Sequence, residues 1–338
     1  MPKTYTNLYE KICSFENLLF AAKKAQKGKK FKENTVKFNF NLENETLKLQ
    51  EELLNQTYQH GKYKQFIVYE SKKRLINAAP YRDRVIHHAL CNIIEPIFDK
   101  TFIYDSYANR KDKGTHKAIR RFQEFCRKNK YVLKCDIARY FDSIDHEILI
   151  NIICAKITDK KVILLIQKII KSTEGKTGLP LGNLTSQFFA NIYLNDFDHF
   201  IKELLRCRYY IRYVDDFVVL GDDKKKLGEV REKVNEYLSS LRLGLHPKKR
   251  QIFPVEVGCD FLGFRIFPTH RLIRKSNYFH FRRRLRRLQK LYYKNIISFD
   301  KIDKSVRSWI AHVSWGDSWG LRKKLFSGII FKRGKQRL

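Results

Sequence analysis

The chain has 338 residues, 43% of them hydrophobic and 14% aromatic, enough apolar material for a sizeable core in about two domains, which excludes a disordered tail. Its 69 Lys and Arg outnumber 35 Asp and Glu for a formal net charge of +34, a surplus that points to a polyanion whose condensed counterions it releases, with a membrane surface as the lesser alternative. Its seven scattered cysteines lack CxxC or Cys/His spacing and no apolar run is long enough to span a bilayer, so we expect a reduced cytoplasmic protein with no zinc site and no membrane association.

Up to about His60, helical patches alternate with Lys-rich and Asn-rich turns and read as an extension packed on the main body. "YKQFIVYESKKRLINAAP" from Tyr63 to Pro80 predicts two short strands around a basic turn, followed by a helix through "RVIHHALCNIIEPIFDKTF". "SYANRKDKGTHKAI" is a loop leading into a helix that carries Phe122 and Phe125. Tyr131 to Asp136 reads as a buried strand ending in a turn, with Ser143 or Asp145 as the cap of the helix "HEILINIICAKI". The glycine-punctuated loop "STEGKTGLPLGNLTSQ" opens one long helix, "SQFFANIYLNDFDHFIKELL". "YYIRYVDDFVVL" predicts a strand, a turn and a strand, and an amphipathic helix, a turn at "LGLHPKKR" and a strand pair through "QIFPVEVGCDFLGFRIF" follow. From His270 the composition shifts to dense arginine with aromatics, the best boundary in the chain, and the mixed order of elements gives an α+β fold with a basic helical C-terminal part.

Asp215 and Asp216 stand at the tip of that hairpin. Two carboxylates so close raise each other's pKa unless a cation neutralises them, although an acidic pair on its own is also a common solvated turn. Mg²⁺ takes one or two protein carboxylates together with substrate phosphates and water, and Asp136, at the end of an apolar strand, is the candidate third carboxylate. Gly182, in "LPLGN", suits a place where backbone comes close to a base or sugar, or a simple turn before a helix. Arg74, Arg82 and Arg84 are candidates for gripping a triphosphate, since guanidinium pairs well with phosphate oxygens.

Asp136 in "DIARYFDSID", "GLPLGNLTSQFFANIYLNDFDHF", "YVDDFVVL", "LGLHPKKR" and "FLGF" occur in the order and approximate spacing of reverse transcriptase palm motifs. "RDRVIHHAL…IEPIF" and "SYANRKDKGTHKAI" likewise resemble the fingers blocks of bacterial reverse transcriptases related to group II intron enzymes, and the match covers roughly residues 63 to 267. The resemblance implies a right-hand polymerase: an N-terminal extension over 1–62, fingers over 63–130, a palm with an antiparallel sheet over 131–267 including a loop near 171–183, and a helical thumb over 268–338. It implies two Mg²⁺ ions on Asp136, Asp215 and Asp216, with the carbonyl of Ile137 also in reach, and Mn²⁺ suits the same hard oxygens. Asp215 is the better placed of the pair to reach both ions, because successive strand side chains point to opposite faces. Phe141 matches the family's steric gate against a 2′-hydroxyl, its alternative being an ordinary core phenylalanine. Lys249 matches the lysine that protonates pyrophosphate, or else a phosphate contact or solvated charge.

Most of the family reads glutamine before this glycine, in a QGxxxSP pattern, whereas here the loop is Leu181-Gly182-Asn183-Leu184-Thr185-Ser186-Gln187. That variant resembles the reverse transcriptases of diversity-generating retroelements, which copy a template RNA with frequent errors at adenines. Leu181 beside the incoming nucleotide lacks the donor and acceptor that glutamine offers, so discrimination between right and wrong pairs weakens; neutral packing drift is the alternative. The resemblance implies template RNA, primer and cDNA, dNTPs and a small basic accessory protein as partners.

In the resemblance the segment after "FLGF" is a thumb on the template and primer duplex. Arg282, Arg283, Arg284, Arg286 and Arg287, interleaved with Phe279, Phe281, Leu285 and Leu288, suit a helix with one face on phosphates and one on the core, or a merely solvated basic face. Trp309, Trp315 and Trp319 read as packing anchors of that part. The competing functions are an intron, retron or phage-defence reverse transcriptase, and an RNA-binding maturase-like protein with little polymerase activity.

Overall fold

A computed structural model describes residues 3–69, 73–173 and 175–334. Four helices open the chain: α1 (Tyr9–Cys13), α2 (Phe15–Ala25), α3 (Glu33–Phe40) and α4 (Leu42–Leu54). They pack on one another and on α5 (Tyr81–Asp99), whose apolar stripe Val85, Ile86, Ala89, Leu90 and Ile94 is fully buried. Between them lies an antiparallel ribbon, β1 (Lys64–Tyr69) and β2 (Lys73–Ala78), largely exposed. Its basic turn, at residues 70–72, lies outside the described residues.

After α6 (Thr115–Cys126) comes β3 (Tyr131–Ile137), then α7 (Tyr140–Ser143), α8 (His146–Cys154) and α9 (Lys160–Ile170). Asp145 rather than Ser143 caps α8, its Oδ1 accepting from the amides of Glu147 at 3.0 Å and Ile148 at 3.1 Å. The one long helix expected after the glycine loop is instead three pieces: α10 (Leu184–Tyr193), α11 (Asn195–His199) and a π-helical turn over Phe200–Leu204. Leu194 leaves helical geometry between the first two, and Phe200 stacks on Tyr237 at 4.4 Å.

The strands β4 (Tyr209–Tyr213) and β5 (Asp216–Gly221) form the expected hairpin, followed by α12 (Lys224–Ser240) and β6 (Leu245–Pro254). These strands join β3 in one antiparallel sheet ordered β4-β5-β3-β6. In β3, β4 and β5 the apolar residues are near-continuous because both faces are covered, whereas β6 is largely polar and open. Leu133, Cys135, Tyr210, Phe217 and Val219 face the core shared with α5, α8, α9, α10 and α12, whereas Val132, Ile211, Val218 and Leu220 face α6 and the next sheet.

"HPKK" is not the predicted turn. Cys135 pairs with Arg250 and Ile137 with Leu245, so residues 246–249 bulge out of β6 opposite Asp136, where Pro247 has no amide hydrogen to give the ladder. The stretch read as one strand pair also divides: β6 belongs to the central sheet, and β7 (Cys259–Phe261) and β8 (Phe264–Ile266) join β9 (Arg271–Ile273) in a second sheet.

The tail is helical, with α13 (Lys275–Tyr293), α14 (Phe299–Val313) and α15 (Trp319–Phe326). Phe281 and Leu285 of α13 meet Val313 and Leu325 in a small core where Trp309 stacks on Phe281 with centroids 4.1 Å apart. Trp315 stacks on His116 at 4.0 Å and ties the tail to α6. Trp319, expected as an anchor, is 71% exposed, because it begins α15 on the side away from that core. No described helix is long and apolar enough to cross a membrane.

Because Trp309 fills the centre of a small separate core, Trp309→Ala should cost roughly 3–5 kcal/mol there. Hydrogen exchange should show α13 and α14 losing protection while β3 and β5 keep theirs; equal loss in both would show a single cooperative unit.

Candidate active site at the end of the central sheet

Asp136 is the penultimate residue of β3 and Asp216 opens β5, and the register makes them direct cross-strand partners, so both carboxylates lie on one face of the sheet end. Asp215 sits in the turn between β4 and β5, and the amide of Ile137 donates to its carbonyl at 3.1 Å, which ties the turn to the residue after Asp136. Val214 holds φ at 58°, a left-handed conformation costly for a β-branched residue, on the order of 1–3 kcal/mol.

Burial, and then Asp136 and Asp215, push the Asp216 carboxyl up to about 7 against the pull of Lys134. Burial and the neighbouring Asp136 also raise Asp215, opposed by Lys249 and Arg74. Asp216 Oδ1 is buried without a hydrogen-bond partner. Lysines supply the nearby countercharge: Lys249 Nζ, delivered by the β6 bulge, lies 2.5 Å from Asp136 Oδ2, and Lys134 Nζ lies 3.8 Å from Asp216 Oδ2. Among the described residues no three His, Cys, Asp or Glu side chains close around one point in this arrangement. An orphaned carboxylate oxygen, two raised acids and an all-oxygen donor set nonetheless fit a hard divalent cation.

The remaining predicted residues divide. Phe141, half-buried in α7, accepts the Leu179 amide on its carbonyl at 2.8 Å, and Leu181, three residues later on the chain than Gly178, accepts the Asn77 amide of β2 at 2.9 Å. One loop therefore joins Phe141, Leu181, Gly182 and β2. Gly182 has φ 107°, and a Cβ there would lie 2.8 Å from Ile76 Cγ2, so the close approach it permits here is to a β2 side chain. Arg74 is exposed on β2 with its charge acting on Asp215. Arg82 is engaged by Glu52, and half-buried Arg84 lies over the Tyr81 ring, so neither shares Arg74's place. The five arginines of α13 are all exposed, with Phe281, Leu285 and Leu288 buried beneath them and Phe279 exposed beside them.

The sequence reading missed the support under the turn. Arg212 of β4 and Asp198 of α11 form a fully buried pair, Nε to Oδ1 at 2.7 Å and Nη2 to Oδ2 at 2.6 Å, and Tyr210 donates to the same Oδ1 at 2.6 Å. The legible signal was a charge inside an apolar strand and an aspartate on a helix face otherwise given to the core.

The family described as "Reverse transcriptase (RNA-dependent DNA polymerase)" matches residues 61–266. The chain is 28% identical to Protein YkfC of Escherichia coli over 68% of this chain and 71% of that one. It is 30% identical to the group II intron-encoded protein LtrA of Lactococcus lactis over 39% of this chain, which spans only 24% of that protein. Apo telomerase from Candida tropicalis shares the fold at a TM-score of 0.51 and 13% identity, over 79% of this chain and 60% of that one.

The raised Asp216 has a stability consequence. Between the unfolded value of 3.8 and about 7 the folded chain holds a proton that the unfolded chain has lost, so without divalent ions stability falls as pH rises through that window. Thermal melts from pH 5 to 8 in chelator should show this decline, flattened in Asp216→Asn and by added Mg²⁺; an equal slope in all three would place the titration elsewhere.

Proposed function

Since the chain belongs to the reverse transcriptase family, we propose that it copies a template RNA into cDNA, and that it does so in a diversity-generating retroelement with errors at template adenines. The observation that supports polymerisation is the meeting of Asp136, Asp215 and Asp216 at one sheet end, with an orphaned oxygen on Asp216. In this reading 63–130 are fingers, 131–267 the palm, 268–338 the thumb and 1–62 an extension. Asp136, Asp215 and Asp216, with the Ile137 carbonyl, would hold two Mg²⁺ ions. Bound there, such ions activate the primer 3′-hydroxyl and offset charge on the pyrophosphate leaving group.

The chain's own residues have definable tasks. Lys249, already on Asp136, is placed to follow negative charge as it grows on pyrophosphate and to give it a proton from Nζ. Arg74, on β2 within electrostatic reach of Asp215, would grip the triphosphate, with Arg82 and Arg84 further from that role because Glu52 and Tyr81 engage them. Phe141 and Leu181, joined by one loop, would bound the sugar and base of the incoming nucleotide. The exposed arginines Arg282, Arg283, Arg284, Arg286 and Arg287 would follow the duplex backbone.

The diversity-generating assignment rests on Leu181-Gly182-Asn183, and the basic accessory partner follows only from it. A group II intron enzyme is the second reading, favoured by the 30% identity to an intron-encoded protein.

Primer extension on an RNA template with dNTPs and Mg²⁺ separates these readings. Wild type should extend, Asp215→Ala should fall to background, and errors should concentrate opposite adenines and diminish in Leu181→Gln. Accurate extension by wild type would favour the intron enzyme, and no extension even with a candidate accessory protein would favour RNA binding alone.

A further inference from the structure

Apolar residues around a strand end do not call for a buried ion pair, and replacing such a pair by well-packed apolar residues is often neutral or stabilising. Arg212 and Asp198 are both 0% exposed, so stability alone is a weak reason for their presence. The third direction of the guanidinium is more informative. Arg212 Nη1 donates to the carbonyl of Val214 at 3.1 Å and to Asn191 Oδ1 at 3.2 Å, while Asn191 is itself fixed by donating to the Ala108 carbonyl at 2.8 Å.

The Val214 carbonyl belongs to the peptide that precedes Asp215, and a peptide is a rigid plane. The following peptide is held by the Ile137 amide on the Asp215 carbonyl at 3.1 Å. Asp215 is thus pinned on both sides, by Arg212 before it and by the end of β3 after it. Val214 at φ 58° resists the conformation so held, and Arg212 offers the charged hydrogen bond that opposes the resistance. Asp198, Asn191, Tyr210 and a backbone bond from the Arg212 amide to the Asp105 carbonyl at 3.1 Å hold the arginine in turn.

We propose that Arg212 is a positioning residue for polymerisation: clamped by Asp198 and Asn191, it holds the strained Val214 peptide so that Asp215 is fixed at the sheet end with Asp136 and Asp216 before any cation or nucleotide arrives. It acts through Asp215 and touches no reactant. Its value lies in pre-organisation, because a carboxylate that must first be ordered binds a cation less tightly. The proposal rests on the polymerase reading, and its test includes an arm that does not.

Three variants carry the test. Arg212→Lys keeps a charge for Asp198 and loses the planar fork that reaches Val214. Arg212→Gln with Asp198→Asn removes both buried charges, so neither is left uncompensated inside, and the shorter glutamine amide does not reach the Val214 carbonyl. Val214→Asn in the Arg212→Lys background puts a residue that tolerates φ near +60° where valine resists it. Each is checked by circular dichroism and melting, then Mn²⁺ binding is measured directly by electron paramagnetic resonance on the whole chain without nucleic acid, and primer extension gives kcat and the KM for dNTP.

In both arginine variants, Mn²⁺ affinity and kcat should fall about 10- to 100-fold with KM for dNTP unchanged, the size typical of lost support behind metal ligands. Val214→Asn should restore much of both losses. Folded arginine variants that bind Mn²⁺ and turn over like wild type would overturn the proposal, as would a loss that Val214→Asn does not relieve. If wild type binds Mn²⁺ but extends no primer, the polymerase reading fails while the binding arm still decides the role of Arg212.

Discussion

The structure around the site follows from one electrostatic constraint: antiparallel pairing of β3 and β5 sets Asp136 opposite Asp216, and a tight turn adds Asp215. Three carboxylates in a partly desolvated place repel one another, and the raised Asp215 and Asp216 record that cost. Each neighbouring element answers it with a cation. β3 contributes Lys134, the bulge of β6 delivers Lys249, and Arg74 of β2 lies within electrostatic reach of Asp215. These three cations only balance the three carboxylates, so the net charge of +34 lies elsewhere on the chain, as the long-range field a polyanion would meet.

How much of this was legible depended on whether the signal was local. β3, the β4–β5 hairpin, α5, α6 and α12 were readable because apolar periodicity and turn residues lie within each segment. The three aspartates were readable because charges stand out against apolar strand runs. The bulge at 246–249 was not, since it is defined only by what β6 pairs with, and "HPKK" by itself looks like a turn. The break at Leu194 was hidden for a related reason: the apolar spacing of "SQFFANIYLNDFDHF" continues across it. Trp319 shows the converse failure, for tryptophan's usual burial outweighed any sign that α15 would begin there on an open side.

Gly182 shows how a glycine singled out in the sequence can meet a different neighbour in the fold. The sequence offered a close approach to a base or sugar. The structure adds an approach to Ile76, flanked by the Asn77 amide on the Leu181 carbonyl and the Ala79 amide on Asn183 Oδ1 at 3.4 Å. The loop that bears Leu181 is therefore braced on the same ribbon that bears Arg74. In the polymerase reading, a substitution that shifts β2 moves the wall beside the nucleotide and the arginine over the triphosphate together, so their effects should not be independent.

Asp136 and Asp198 are the same residue type, lie near the same turn, and each meets a basic side chain, yet only Asp136 is accessible from outside. Lys249 is 41% exposed on a bulge, so it can swing into water with its charge solvated when a stronger cation reaches Asp136. Arg212 has no such exit: its charge is wholly buried, its donors are taken up by Asp198, Asn191 and Val214, and leaving would strand a second buried charge. Burial of the partner, more than the carboxylate itself, divides these aspartates into a replaceable set at the sheet end and a permanent one beneath it. That division leaves the acids at the sheet end open to a cation and the fourth acid, Asp198, closed to one.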